Sequence, residues 1–215
     1  MTEKIIILGA GGHSRVIFDL LNNQKIKIYG IIDPLMEIDY LRKTFPSCNY
    51  FKHDDEILNQ DPEEIILING LGSIPNDDNK RRNAFYKFSE KGFKFLTLVS
   101  RNAVVSPSAK LSEGTQIMRG AIIQSGVSIG ANSIINTGAI IDHDCIIGDH
   151  THIAPGAVLS GKVTMGESVH VGTNASIIQS IKLGNNVVVG AGTSVVRDID
   201  DNTTIYPAKT FLKNS

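Results

Sequence analysis

The sequence predicts a two-part chain, an α/β unit of βαβαβ type followed by a parallel β-helix, and three observations carry that prediction. From Val105 to Val195 an aliphatic residue or Met returns at every sixth position, sixteen times in one frame, as at Ile123, Ile141, Leu159 and Ile177. Two residues before each stands a small or β-branched companion, such as Ala121, Ala139, Cys145 or Ala157. Ahead of this run, residues 1 to about 100 alternate short aliphatic runs with amphipathic stretches.

A period of six fits neither a helix, at 3.6, nor a strand, at 2, so it marks an internal repeat. One bulky and one small residue per hexad suit a coil of three short flat strands whose aliphatic side chains fill a narrow triangular prism. Three hexads make an 18-residue coil, and five coils at about 4.8 Å each give a prism roughly 24 Å tall. Gly130, Gly148, Gly166 and Gly184 fall 18 apart, which predicts a stacked corner with a backbone that glycine alone adopts cheaply. No insertion interrupts the run, so any chemistry must come from coil residues, from the flanking segments or from a second copy.

In the first hundred residues Ile5 to Leu8 reads as a buried strand, and Ser14 to Leu21 as a helix with Val16, Ile17, Leu20 and Leu21 on one face. Ile26 to Ile32 and Ile65 to Ile68 are the next strands. Asn79 to Lys91 is a helix with Phe85 and Phe88 inward and Gly92 as its stop, and Phe95 to Val99 is the last strand. The predicted domains are a Rossmann-like unit over 1–100, the β-helix over 101–198 and a tail over 199–215.

Length and composition agree with two small cores: 215 residues, 41% hydrophobic. A net charge of −1 gives no basic footprint, so neither nucleic acid nor an anionic membrane is an expected partner. Cys48 and Cys145 have no metal-ligand spacing and read as reduced structural thiols, with no metal site expected. The N-terminus lacks the apolar stretch of a signal peptide, which predicts a cytoplasmic location.

Between the first strand and helix lies Gly9-Ala10-Gly11-Gly12-His13-Ser14. Glycines there let a backbone approach an anion, and the helix N-terminus offers free N–H groups to a phosphate. Ser14 replaces the last glycine of the dinucleotide fingerprint, which argues against NAD and leaves a plain tight turn as the alternative, while Asp33 stands where a ribose-binding acid would.

Within the β-helix, Asp142-His143-Asp144 follows Ile141. Acyl transfer from a thioester needs a general base for the nucleophile's proton, imidazole titrates in the right range, and an adjacent carboxylate can fix its tautomer. His143 with Asp144 is therefore the candidate catalytic pair. His152 and His170 are 18 apart and predicted to stack on adjacent coils; His150 is predicted to face solvent, and His170 to be an exposed corner residue.

The order of these features, with a glycine-rich turn plus His13, an Ile-Asp end to the second strand, Asn69-Gly70-Leu71-Gly72-Ser73 after the third, and then the repeat, resembles hexapeptide-repeat sugar acyltransferases of the sialic-acid O-acetyltransferase and bacillosamine-pathway N-acetyltransferase type. The resemblance implies a left-handed β-helix, acetyl-CoA as co-substrate, His143 as the base, and a nucleotide-sugar held by Gly11, Gly12, His13 and Asp33. It also implies that His152 contacts acetyl-CoA and that Thr173 and Ala191 donate backbone N–H groups to its pantetheine arm. Lys209, in Tyr206-Pro207-Ala208-Lys209, is a candidate partner for a CoA phosphate.

The function expected is acetylation of the 4-amino group of a nucleotide-linked 4-amino-6-deoxy sugar for a surface glycan. O-acetylation of a sialic acid is the alternative, and a zinc enzyme of the β-helical carbonic anhydrase kind, using histidines from among 143, 150, 152 and 170, is a second. A non-catalytic scaffold fits less well, because the His143-Asp144 pair breaks the uniformity of its surface column. Outward apolar residues including Ile122, Ile134, Ile140, Ile146 and Val158 predict a cyclic homotrimer with active sites between subunits.

Overall fold

The chain divides into two units, Met1–Leu98 and Val99–Ser215, and the structure, a computed structural model, describes residues 4–75 and 79–207. Unit 1 runs β1 (Lys4–Leu8), α1 (Gly12–Asn23), β2 (Gly30–Ile32), α2 (Ile38–Thr44), β3 (Asn49–Phe51), α3 (Asp55–Leu58), β4 (Ile65–Asn69), α4 (Lys80–Ser89) and β5 (Lys94–Phe95). Its parallel sheet has the order β3-β2-β1-β4-β5. β1 is central and apolar on both faces, with Ile6 and Ile7 fully buried, as expected of a parallel strand covered on both sides. The chain winds outward in one direction to β3 and then crosses to β4 on the other side of β1. The crevice at the C-terminal ends of β1 and β4 is thus the switch point where such sheets take ligands.

Several elements differ from expectation. α2, β3 and α3 have no counterpart in the sequence reading, so the sheet gains a strand. α1 buries Phe18 where the sequence pattern points to Val16, and Val16 is left 40% exposed; Phe18 packs edge to face on Phe45, ring centroids 5.2 Å apart. The strand expected over 26–32 keeps only Gly30–Ile32. The one expected over 95–99 is two strands: β5 joins the unit 1 sheet, and Leu98–Val99 joins a sheet of the β-helix.

Unit 2 is a left-handed parallel β-helix of two-residue strands in three parallel sheets. Register is 18 through the repeat, as where Ile122 pairs with Ile140 and Ile123 with Ile141, and 16 at the last strand, where Val188 pairs with Thr204. The aliphatic and small columns both point inward, and Ile141, Cys145, Ala157 and Leu159 are fully buried in one core. The first face includes Ile140–Ile141 and Val158–Leu159, the second Ile146–Ile147, and the third His152–Ile153 and His170–Val171. The chain turns from first to second to third face and back to the first.

Each hexad turns its corner on one left-handed residue, at every sixth position from 114 to 192, whether glycine or, as at Asn132, Asp144 and His150, not. Asn and Asp tolerate this conformation better than most residues. The corner is held by a backbone bond to the preceding coil, as from Asp144 N–H to the Ser125 carbonyl at 3.0 Å. The glycine column therefore has a different cause from the expected one. Gly130, Gly148, Gly166 and Gly184 are not left-handed; a Cβ on any of them would run into the next coil, at Asp149, Gly166, Asn185 and Asp201 respectively. Close approach, not φ, demands glycine there.

The outward apolar residues also separate by face. Val104, Ile122, Ile140 and Val158 form one in-register column on the first face. Ile134 lies on the third face and is 1% exposed, and Ile146 lies on the second. Among the described residues no helix is long and apolar enough to cross a membrane.

Candidate active site

His143 and Asp144 occupy the corner between the first and second faces. Asp144 is the left-handed residue of that corner, φ 59°, which turns its carboxylate back toward its neighbour. Oδ2 of Asp144 lies 2.9 Å from Nδ1 of His143. A carboxylate only accepts, so Nδ1 carries the proton and Nε2 is left with its lone pair, ready to take one. Asp142 accepts from the His143 backbone N–H at 2.7 Å, steadying the same turn. Both His143 and Asp144 are open to solvent, within reach of a substrate.

The residues expected to meet acetyl-CoA lie elsewhere on the prism. His152 and His170 project from adjacent strands of the third face, paired in register with rings edge to face and centroids 5.0 Å apart. Asn136 Nδ2 lies 3.1 Å from Nε2 of His152. Thr173 and Ala191 are exposed on the corner between the third and first faces, one coil apart, where Gly192 N–H donates to the Thr173 carbonyl at 2.8 Å. The full width of the first face, with its apolar column, separates that corner from His143. One copy therefore does not bring the two sets together.

Two expectations about histidines fail. His150 does not face solvent: it is 8% exposed, and its Nδ1 lies 3.0 Å from Nδ2 of Asn132, the corner residue one coil earlier. His170 is not a corner residue but a half-buried strand residue. With His143 at one corner, His150 at another and the remaining two on a face, the four imidazoles do not converge. Among the described residues no group of three or more His, Cys, Asp or Glu is placed to hold a metal ion. Lys209 lies outside the described residues.

In unit 1 the glycine-rich turn sits at the switch point. A Cβ on Gly11 or Gly12 would meet nothing within 4 Å, so packing does not explain these two glycines, and the space they leave is open. His13 is in the first turn of α1, next to that space. Asp33 is only 8% exposed: Oδ2 accepts from Ala10 N–H at 2.8 Å, and Oδ1 from Leu35 and Met36 N–H at 2.9 and 3.1 Å. Its carboxylate ties the loop after β1 to the loop after β2.

Sequence reasoning missed three supporting residues here. Ser14 is buried, and its hydroxyl donates to the Gly9 carbonyl at 2.7 Å with the Gly70 carbonyl 2.9 Å away, which gives the departure from the dinucleotide fingerprint a purpose. Arg81, 4% exposed in α4, donates from Nη1 to the carbonyls of Asn69 and Leu71, and the Asn69 side-chain amide donates back to the Arg81 carbonyl. Burial pushes the Arg81 guanidinium down to about 9, still charged at neutral pH. A buried cation in an otherwise polar helix turn left no pattern to read.

Stacked hexads with a His-Asp pair on one corner define the class of hexapeptide-repeat transferases, and comparisons with known proteins extend this to both units. Residues 4–88 match the PglD N-terminal domain, 126–161 the bacterial transferase hexapeptide repeat and 162–197 the hexapeptide repeat of succinyl-transferase. The acetyltransferase domain of PglB from Neisseria gonorrhoeae FA1090, in complex with acetyl coenzyme A, is 30% identical with a TM-score of 0.82, covering 98% of this chain and 100% of that one. A mutant of GDP-perosamine N-acetyl transferase from Caulobacter crescentus, in complex with CoA and GDP-perosamine, is 30% identical with a TM-score of 0.80, covering 95% and 93%. WeeI from Acinetobacter baumannii AYE shares the fold at 22% identity and a TM-score of 0.81, covering 94% and 96%. The chain belongs to the family of hexapeptide-repeat sugar acetyltransferases with a PglD-type N-terminal domain.

Proposed function

We propose that the protein transfers the acetyl group of acetyl-CoA to the 4-amino group of a nucleotide-linked 4-amino-6-deoxy sugar destined for a surface glycan, with His143 as general base. The observation that carries this reading is the 2.9 Å contact of His143 Nδ1 with Asp144, which leaves Nε2 as the proton acceptor on an exposed corner. The amine nitrogen attacks the thioester carbonyl carbon, Nε2 takes the proton that nitrogen sheds, and the C–S bond breaks as that proton passes to the leaving sulfur, which departs as the CoA thiol. A sugar amine is a better nucleophile than a hydroxyl, so it asks less of the base. The bound acetyl coenzyme A and GDP-perosamine of the two relatives support the two co-substrates.

Gly11, Gly12 and the N-terminus of α1 would receive the phosphates, with His13 beside them. Asp33 would serve by fixing both flanking loops, with one lone pair of Oδ2 left for the ribose. The separation of His143 from His152, Thr173 and Ala191 by the first face supports a homotrimer in which the site takes His143 from one copy and the acetyl-CoA contacts from its neighbour. The apolar column of the first face would lie against that neighbour. Two free thiols, at Cys48 and Cys145, suit a cytoplasmic enzyme. The test is acetyl-CoA consumption over a panel of UDP-, dTDP- and GDP-linked 4-amino sugars and free sialic acids. Turnover with a nucleotide-linked amine is expected; acetylation of free sialic acid with no nucleotide binding by calorimetry would overturn the reading.

A further inference from the structure

Gly161 stands one coil after His143, eighteen residues on. A Cβ built on it would lie 2.5 Å from Nε2, 2.7 Å from Cε1 and 3.1 Å from Cδ2 of the His143 ring, and these are its three nearest atoms. Non-bonded carbons settle at about 3.5–4.0 Å, so the ring and a Cβ cannot share that place. Gly161 is not left-handed, so its own backbone does not ask for glycine. Sixteen residues hold the same place in their hexads from Pro107 to Arg197, and Gly161 is the one glycine among them; its neighbours in the stacked column are His143 and Gln179. The glycine occurs on the coil that follows the histidine. On the other side, a Cβ on Gly126, one coil before Asp144, would lie 2.5 Å from Oδ1 of Asp144, although Gly126 is left-handed at φ 73° and its backbone favours glycine as well.

We propose that Gly161 is a positioning residue for catalysis: its missing side chain is the slot that keeps the His143 imidazole turned with Nδ1 on Asp144, and Gly126 gives the Asp144 carboxylate the matching room. The inference rests on His143 being the base. Alanine at 161 fits its backbone and turns the ring out of the slot, moving Nε2 by an amount comparable to the misplacements of about 1 Å that cost on the order of 10²-fold in rate.

The experiment is Gly161→Ala in the full-length protein, alone and combined with His143→Ala. The single variant should lose about 10²-fold in kcat, with KM for acetyl-CoA within about twofold. In the His143→Ala background the same change should cost nothing further, because the effect passes through the ring. The 15N shifts of the His143 imidazole should show the proton leaving Nδ1 as the favoured site in Gly161→Ala. Normal kcat with an unchanged tautomer, or a full additional loss in the double variant, would overturn the proposal. Should Gly161→Ala not fold, the double variant, with the ring's room vacated, should fold and melt with His143→Ala; its failure to fold would place the need for glycine in the backbone instead. If His143→Ala itself keeps its turnover, the base assignment fails, whereas the tautomer measurement still reports on the slot alone.

Discussion

In unit 1 the residues around the ligand crevice are held by side chains reaching across the sheet: Asp33 to Ala10 N–H, Ser14 to the Gly9 carbonyl, Arg81 to the Asn69 and Leu71 carbonyls. In unit 2 the residues around His143 are held mainly by backbone register, each coil bonded to the next, with one side-chain bond in the turn itself, from the His143 N–H to Asp142, and with the His143 side chain projecting from that frame. Function and scaffold are therefore separable in the β-helix and entangled in the α/β unit. The proposed base, His143, should be removable from the β-helix without disturbing it, whereas Asp33 removed from the α/β unit should take the shape of the crevice with it.

The sharpest test of that contrast pairs the two kinds of variant. His143→Ala should lower turnover by about 10²- to 10⁴-fold, the usual worth of a general base, with the melting temperature unchanged, because the side chain projects from an exposed corner; Asp144→Asn should cost less. Stopped-flow or coupled assays alongside calorimetry would read both quantities, and a large drop in melting temperature for His143→Ala would break the comparison. Asp33→Ala should show the opposite profile. Three backbone N–H groups lose their acceptor, at about 1–3 kcal/mol for those left buried without one, so unit 1 should be destabilised and nucleoside diphosphate affinity should fall together. Unchanged stability with lost affinity would make Asp33 a simple ligand contact.

A smaller effect concerns the Cys48 thiol. Burial pushes the Cys48 thiol up to about 11, so at pH 8 its alkylation should be slow and should quicken by about tenfold per pH unit toward that value. The folded state keeps a proton that the unfolded chain releases near its ordinary pKa of about 8.5, so Cys48 makes stability fall as pH rises from there to about 11. Fast labelling of the native protein at pH 8, followed by mass spectrometry, would contradict this.

The same contrast explains what the sequence reveals. A strict period places a residue by arithmetic, so the inward columns, the stacking of His152 on His170 and the corner of His143 are legible in the sequence alone. Arithmetic gives position but not environment: it does not show that the corner ladder buries His150 against Asn132, or that the glycine column answers to the next coil and not to φ. In unit 1, β3 is three residues long, α3 four, and α2 buries only Leu41, too little apolar periodicity to announce them. The roles of Ser14 and Arg81 depend on contacts that no local pattern announces, among them carbonyls 56 and 12 positions away. The separation of His143 from Thr173 and Ala191 is implicit in the 18-residue coil, and it becomes plain once the faces are assigned.

That separation supports a site shared between copies, and mixing two impaired proteins tests it most directly. His143→Ala removes the proposed base, and Ala191→Trp blocks the corner proposed to receive the pantetheine arm; each alone should be nearly inactive. Co-expressed in equal amounts and purified as mixed oligomers, they should recover about a quarter of the wild-type activity, because a shared site can then draw an intact His143 from one copy and an intact Ala191 corner from its neighbour. If one chain supplied both residues to each site, no site in the mixture would be whole, and activity that stays at the level of the separate variants would contradict the account.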